Sequence, residues 1–265
     1  MTIPRRTAES STAEMASVLR EAGCLVVENV IDKSCRENIL GDLESHMQVA
    51  PVIQDDDPEE FYPGRTRRVT GLVMRSDEVT QRLIPHPISK DLCDAHLLPN
   101  SQSGYQLHVT AALEVGPGAR GQILHREEDS FKFFPLPRPN LIVASMWAIS
   151  DFRADNGATY VVPDSHRWPA DRQPQPTEIL QAEMSAGSVL FWLGGLLHGA
   201  GPNTAKDWRY GVILTYSAGW VRQEENQYLN VSQSRIDQLD PELRSLIGMD
   251  MYEALGFSDP RLKST

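Results

Sequence analysis

His125 and Glu127 stand two residues apart in QILHREEDSF. In extended chain, residues i and i+2 leave from the same face, so an imidazole and a carboxylate at this spacing can converge on one ion. Such a pair also arises in exposed acidic turns, and HREED reads equally well as one; the pair gains weight from His198. That residue closes the apolar run of SVLFWLGGLLHGAGPN, inside a glycine-rich turn where few bulky side chains block access. Two imidazoles and one carboxylate make a facial triad suited to Fe(II), with three positions open for other ligands, and zinc accepts the same ligand types. Arg209, at the head of RYGVILTY, offers a rigid fork for a carboxylate. An arginine entering a β core without a counter-charge in its own strand needs a partner from elsewhere, either a carboxylate-bearing co-substrate or one of the chain's own acids. Most of the other histidines are read as surface or hydrogen-bonded residues.

The elements that must position these groups are β-rich. From Tyr105 onward, short runs separated by Gly, Pro, Asn and Asp follow one another: YQLHVTAALEV, PNLIVASMWAIS, GATYVVP, SVLFWL and YGVILTYSAGWV. With no helical segments between them, they predict an antiparallel sandwich or barrel rather than a parallel βαβ sheet. Ahead of them, Ser11 and Glu14 have capping-box spacing, and Met15, Val18, Leu19 and Ala22 fall on one helical face before Gly23. CLVVENVI reads as a strand, and Ser34 with Glu37 as a second capping box for a helix carrying Ile39, Leu40, Leu43 and Met47. Residues 50–68 show no period and are read as a long loop, with a lid over the site at about 50–70. Residues 76–98 are helical in parts and broken at Pro85 and Pro87, and helical spacing returns at 233–255. The expected architecture is a single domain over 1–265, mainly β within an α+β chain. Its jelly-roll core spans about 105–220, with a helical part at 1–104 and a helical tail at 221–265.

Composition narrows the partners. The 265 residues carry a formal charge of −11, which disfavours nucleic acid and anionic membrane as partners. No apolar stretch approaches the roughly 20 residues of a membrane span, and the first residues lack the apolar segment of a secretory signal. A cytoplasmic setting is expected, with Cys24, Cys35 and Cys93 as reduced, mostly buried thiols.

Three ordered blocks carry a resemblance: LHREEDSF, NGATYVVPDSHRW, and SAGSVLFWLGGLLHGAGPNTAKDWR. Together they resemble the phytanoyl-CoA dioxygenase family of Fe(II)/2-oxoglutarate oxygenases. The middle block is similar to the family's N-G-x-x-x-x-x-P-G-S-H segment, with Asp164 where Gly is usual. The last keeps the family's interval from His198 to Arg209, with Asn203 between them. The resemblance implies a double-stranded β-helix (jelly roll, cupin-like) and makes His125, Glu127 and His198 the iron ligands. It makes Arg209 the partner of the distal carboxylate of 2-oxoglutarate, with Thr159 and Gln122 as further contacts to that co-substrate, and it gives His166 a structural role. The implied reaction uses Fe(II), 2-oxoglutarate and O2 to oxidise an unactivated C–H bond of a small organic substrate, releasing succinate and CO2. Hydroxylation is the default outcome, with desaturation, epoxidation or endoperoxide formation as variants.

Two departures matter. Glu127 stands where the family usually has Asp, and Ala200 replaces a residue that in many members carries a hydroxyl. A carboxylate at 127 argues against halogenation, for which related enzymes use a small residue. Phe131, Phe133, Phe134, Met146 and Trp147 are candidates for an apolar pocket. Arg65, Arg67, Arg68 and Arg75 are candidates for a CoA phosphate or a substrate carboxylate. The blocks look more like members that tailor natural products than like acyl-CoA hydroxylases, which stay as the alternative. A catalytically inactive jelly-roll binding protein and a non-redox metal-dependent isomerase are the readings from other classes, and a homodimer is an allowed assembly.

Overall fold

In the computed structural model, which describes residues 2–53, 61–131, 133–135 and 138–259, Ser11 caps the first helix by accepting the Glu14 N–H at 3.3 Å. Helix α1 (Thr12–Ala22) ends at Gly23, whose φ of 75° is the left-handed turn that glycine takes without a Cβ penalty. Strand β2 (Cys24–Glu28) follows and pairs in parallel with β1 (Arg5–Thr7). Helix α2 (Lys33–Val49) begins two residues earlier than Ser34 and Glu37 suggest. Its cap is Asp32, whose carboxylate accepts the Cys35 N–H at 2.7 Å and also the Ser34 hydroxyl. A carboxylate is the stronger acceptor at a helix N-terminus, so Ser34 becomes its donor rather than the cap.

The expected loop at 50–68 is only partly a loop. Residues 54–60, the middle of the expected lid, lie outside the described residues, but Thr66–Thr70 form an edge strand, β3, paired with β4 (Tyr105–Val115). Its charged pair Arg67 and Arg68 hides the apolar alternation. Beyond it come α3 (Leu72–Arg75), a π turn at Val79–Leu83 and α4 (Pro87–His96). Pro87 starts α4 instead of breaking a helix, because a first-turn residue needs no N–H partner.

The core strands are β5 (Ile142–Ala148), β8 (Val189–Leu193) and β10 (Arg209–Ala218), together with β4. They join a seven-stranded sheet in the order β1-β2-β8-β5-β10-β4-β3. A smaller sheet, β7-β6-β9, is built from three two-residue strands: β6 (Tyr160–Val161), β7 (Leu180–Gln181) and β9 (His198–Gly199). The two sheets face each other as the two layers of the jelly roll. Three short helices, α5 (Gln227–Asn230), α6 (Gln233–Ile236) and α7 (Pro241–Leu246), follow β10, so the helical spacing read at 233–255 holds only in its first half.

Period-2 alternation sorts the large sheet's residues between two cores. Leu25, Val27, Val143, Trp147, Phe191, Val212 and Leu214 point outward and pack against Met15 and Leu19 of α1, Ile39 and Leu43 of α2, and Leu92 of α4. Cys24, Val26, Ala144, Met146, Leu190 and Trp192 point inward and meet Ala158 and Val161 from the small sheet's side. The inner face therefore holds smaller side chains than the outer, and the volume left between the layers becomes the cavity.

Candidate metal centre and its cavity

The two histidines are fixed by backbone pairing. His125 and His198 form an isolated antiparallel bridge in which each N–H donates to the other's carbonyl at 3.0 Å. Their rings consequently lie side by side, with centroids 4.3 Å apart. Each ring donates its Nδ1–H to a carbonyl two residues back, His125 to Ile123 at 3.0 Å and His198 to Leu196 at 3.1 Å. Those bonds set the tautomer and leave both Nε2 lone pairs facing the cavity, as metal-bound imidazoles require.

Glu127 reaches the same point by a different route from the one the spacing suggests. The chain is not extended there: His125 ends the bridge, and a 3-10 turn, Glu127–Phe131, begins at the carboxylate itself. The ligand atoms of His125, Glu127 and His198 all lie within 4.8 Å of one another. Glu127 Oε1 stands 3.1 Å from His198 Nε2, a contact that demands a positive centre between them, either a proton or a cation. Burial acts to raise the Glu127 carboxyl, but the contact with His198 and the neighbouring imidazoles outweighs it and holds the group below its usual range. Burial, reinforced by His198, pushes His125 down to about 4, so its imidazole is neutral and ready to coordinate. The donor set fits one divalent first-row metal.

Neighbouring residues lock the turn. Glu128 Oε1 accepts the N–H groups of Leu141 and Ile142 at 2.9 and 3.1 Å, and Asp129 accepts the Arg126 N–H at 3.0 Å. Both acids thus serve the backbone and leave Glu127 as the carboxylate of the cluster. Arg126, buried, donates from Nε to the Gly195 carbonyl at 2.8 Å and ties this turn to the one that carries His198. Gly194 is required for that closeness: a Cβ there would sit 2.7 Å from Ile142 Cβ and 2.8 Å from Glu128 Cγ. Sequence reasoning missed Arg126 and Glu128, because each depends on a backbone partner that is distant in the chain.

Arg209 is 1% exposed and forms no ion pair with a described residue. One nitrogen donates to the Gly157 carbonyl at 3.0 Å, and the guanidinium lies 4.3 Å above the Phe152 ring. Nε and Nη1 have no partner among the described residues, nor has the hydroxyl of Thr159, which lines the same cavity. Burial alone brings the Arg209 guanidinium down to about 9, still a cation at neutral pH. A buried cation with two unmet donors calls for an anion. Gln122 also borders the cavity, but its side-chain oxygen is engaged by the Ala200 N–H at 3.1 Å. His166 is structural, its Nε2 donating to the Arg20 carbonyl at 3.1 Å, and Asp164 adopts the φ of 68° that a glycine would take.

The cavity has a volume of about 430 Å³. Of the expected pocket residues only Met146 lines it. Trp147 faces the outer core, Phe133 is 96% exposed, and Phe134 packs on Trp220, because the 3-10 turn carries this segment away from the site. The aromatic walls come instead from Phe61, Tyr62 and Trp192; Phe61 meets the His125 ring edge-on at 4.6 Å and Trp192 lies 4.7 Å from His198. Arg67 and Arg68 also reach the cavity, but each has a carboxylate partner, Glu114 at 2.9 Å and Glu224 at 3.5 Å. Arg65 and Arg75 do not line it.

The chain is 29% identical over 259 residues to dioxygenase swnH2 of Arthroderma benhamiae, covering 91% of this chain and 82% of that protein. It is 27% identical over 253 residues to dioxygenase aneA of Aspergillus aculeatus, covering 92% and 84%. Among solved structures, the epimerase SnoN with Fe3+, alpha ketoglutarate and nogalamycin RO superposes with a TM-score of 0.64 at 18% identity, over 87% of this chain and 92% of that one. HygX from Streptomyces hygroscopicus with nickel, 2-oxoglutarate and hygromycin B superposes with 0.61 at 16% identity, over 80% and 89%. The family model of phytanoyl-CoA dioxygenase matches residues 19–211, which takes in every ligand candidate and Arg209, and the chain belongs to that family.

Proposed function

We propose that this chain is an Fe(II)- and 2-oxoglutarate-dependent dioxygenase that oxidises a C–H bond of a small secondary metabolite, with release of succinate and CO2. The observation that carries it is the pairing of a His125–Glu127–His198 cluster with an unneutralised, buried Arg209 in one cavity. His125, Glu127 and His198 hold the iron through Nε2, a carboxylate oxygen and Nε2. Arg209 takes the distal carboxylate of 2-oxoglutarate by a charge-assisted, bidentate-capable contact, and Thr159 adds a hydroxyl donor. Gln122 contributes less, since its oxygen already serves Ala200. Iron and 2-oxoglutarate, when bound, supply the oxidising chemistry with O2. The protein's part is to position the substrate and exclude water: Phe61 and Tyr62 close one wall, while Met146, Leu113 and Ile213 offer an apolar surface to carbon skeletons.

The acyl-CoA alternative loses support because Arg67 and Arg68 are already engaged by Glu114 and Glu224, which leaves less positive charge for phosphates. A single catalytic domain working in the cytoplasm suits the buried, unpaired thiols of Cys24, Cys35 and Cys93. No helix among the described residues is long and apolar enough to cross a membrane. A homodimer fits the exposed Tyr228, Leu229 and Phe257. The deciding experiment is anaerobic addition of Fe(II) and 2-oxoglutarate to the purified protein. A weak visible charge-transfer band is expected, and a metal-bound protein without it is an isomerase or a binding protein.

A further inference from the structure

Beyond the metal ligands and Arg209, the cavity has a polar wall made by Tyr62, Arg68 and Glu224, which come from separate segments and all line it. Strand register places Arg68 of β3 opposite Leu113 of β4. Leu113 lines the cavity and packs against the inner core, so Arg68 stands on the cavity's face of the edge strand. Its guanidinium donates through Nη1 to the Tyr62 hydroxyl, lies 5.0 Å from the centre of the Tyr62 ring, and faces Glu224 at 3.5 Å. The segment that carries Tyr62 is tied down a second time, by the Thr66 hydroxyl donating to the Pro63 carbonyl at 2.6 Å. Tyr62 meets the Phe61 ring edge-on at 4.9 Å, and Phe61 meets His125, so one ring separates the phenol from a metal ligand.

A tyrosine hydroxyl both accepts and donates. The Tyr62 oxygen accepts from Arg68, while its own proton has no acceptor among the described residues. Burial raises this phenol above its usual value, ahead of the lowering by Arg68, so the proton stays on at neutral pH. A hydroxyl that accepts from a cation is polarised into a better donor. Arg68 and Glu224 offset each other, so the wall as a whole is neutral: a carboxylate placed at Tyr62 would face Glu224, and an ammonium would face Arg68. We infer that Tyr62, backed by Arg68, is the substrate-binding donor of the cavity, and that it takes a neutral acceptor oxygen, the carbonyl, ether or hydroxyl oxygen of a mainly apolar molecule. This role rests on the oxygenase reading and narrows its substrate class. The apolar remainder of such a molecule meets Leu113, Met146 and Ile213, which line the same cavity.

The test uses the protein loaded anaerobically with Fe(II) and 2-oxoglutarate, and follows the visible band. The probes are 2-decalone, which has an acceptor oxygen, and decalin, the same skeleton without it. Tyr62→Phe removes the hydroxyl and keeps the ring that packs on Phe61. It is expected to weaken 2-decalone binding about tenfold, the worth of one hydrogen bond, while decalin and 2-oxoglutarate stay within about twofold of the wild type. Weakening of decalin or 2-oxoglutarate to the same extent makes Tyr62 a packing residue and overturns the role. So does a 2-decalone constant that Tyr62→Phe leaves unchanged, or a wild type that binds no 2-decalone. In each of these cases the band itself persists in the wild type and the oxygenase reading stands. A wild type without the band overturns that reading, and the role of Tyr62 with it.

Discussion

The two faces of the large sheet are made by the same strands and solve opposite problems. The outer face is closed by α1, α2 and α4 and is mostly apolar; the Tyr216 hydroxyl donates to the Ile84 carbonyl at 2.6 Å and the Trp147 indole to Ser145 at 3.0 Å, while Ser89 Oγ and His96 Nε2 of α4 have no partner among the described residues. The inner face carries Arg209, Trp192 and Thr215 with buried donors unmet among the described residues. One face gives the fold its stability and the other keeps unsatisfied groups in place. An arginine without a counter-ion persists at the inner face because burial gained on the outer face offsets its cost.

The sharpest break of that comparison is Glu127→Ala, which is expected to remove stoichiometric iron binding and lower turnover at least about a hundredfold. Metal analysis and succinate release measure it, and retention of both would hand the role to another acid. Arg209→Ala is expected next, raising the 2-oxoglutarate dissociation constant about a hundredfold with iron affinity changed by only a few-fold, since a buried charge pair is lost away from the metal. Titration of the visible band separates the two constants. On the outer face, Trp147→Ala should cost about 3–5 kcal/mol of unfolding free energy in urea while the apparent KM for 2-oxoglutarate stays near wild type. A variant that lost co-substrate affinity instead would mean that the faces are not independent.

The smallest expected effect concerns Glu128. Burial raises its carboxyl to about 7 from an ordinary 4.5, ahead of the lowering by the Leu141 and Ile142 N–H groups. A folded-state value above the unfolded one means that the folded protein holds the proton more tightly, so this contribution is full below about pH 4.5 and is lost as pH rises towards 7. The metal-free wild type should lose about 1–2 kcal/mol between pH 5 and 7.5 relative to Glu128→Gln, whose profile should be flatter. Parallel profiles in chemical denaturation would place the Glu128 proton elsewhere.

How much could be read from the chain differs in the same way between the two faces. The long strands β4, β5, β8 and β10 were legible because β-rich apolar runs bounded by Gly, Pro, Asn and Asp leave a pattern, and α1 because Ser11 and Gly23 mark both ends. His125, Glu127, His198 and Arg209 stood out through local context. The two-residue strands β6, β7 and β9 are too short to have a period, and β3 hid behind Arg67 and Arg68. The cavity's walls were the least legible part. Phe131, Phe133 and Phe134 follow the ligand block in sequence, yet the 3-10 turn at Glu127 sends them elsewhere, and the bulge at His108 exists only in the pairing of β4 with β10.

The bridge between His125 and His198 has one more consequence. Because the imidazoles hang from opposite members of one hydrogen-bonded pair, their spacing is inherited from the ladder, about 5.5 Å between α-carbons, and owes nothing to the shape of the surrounding loops. The wall residues can therefore be exchanged wholesale for new molecules while the reactive point stays anchored, which makes this scaffold a ready starting place for diversification.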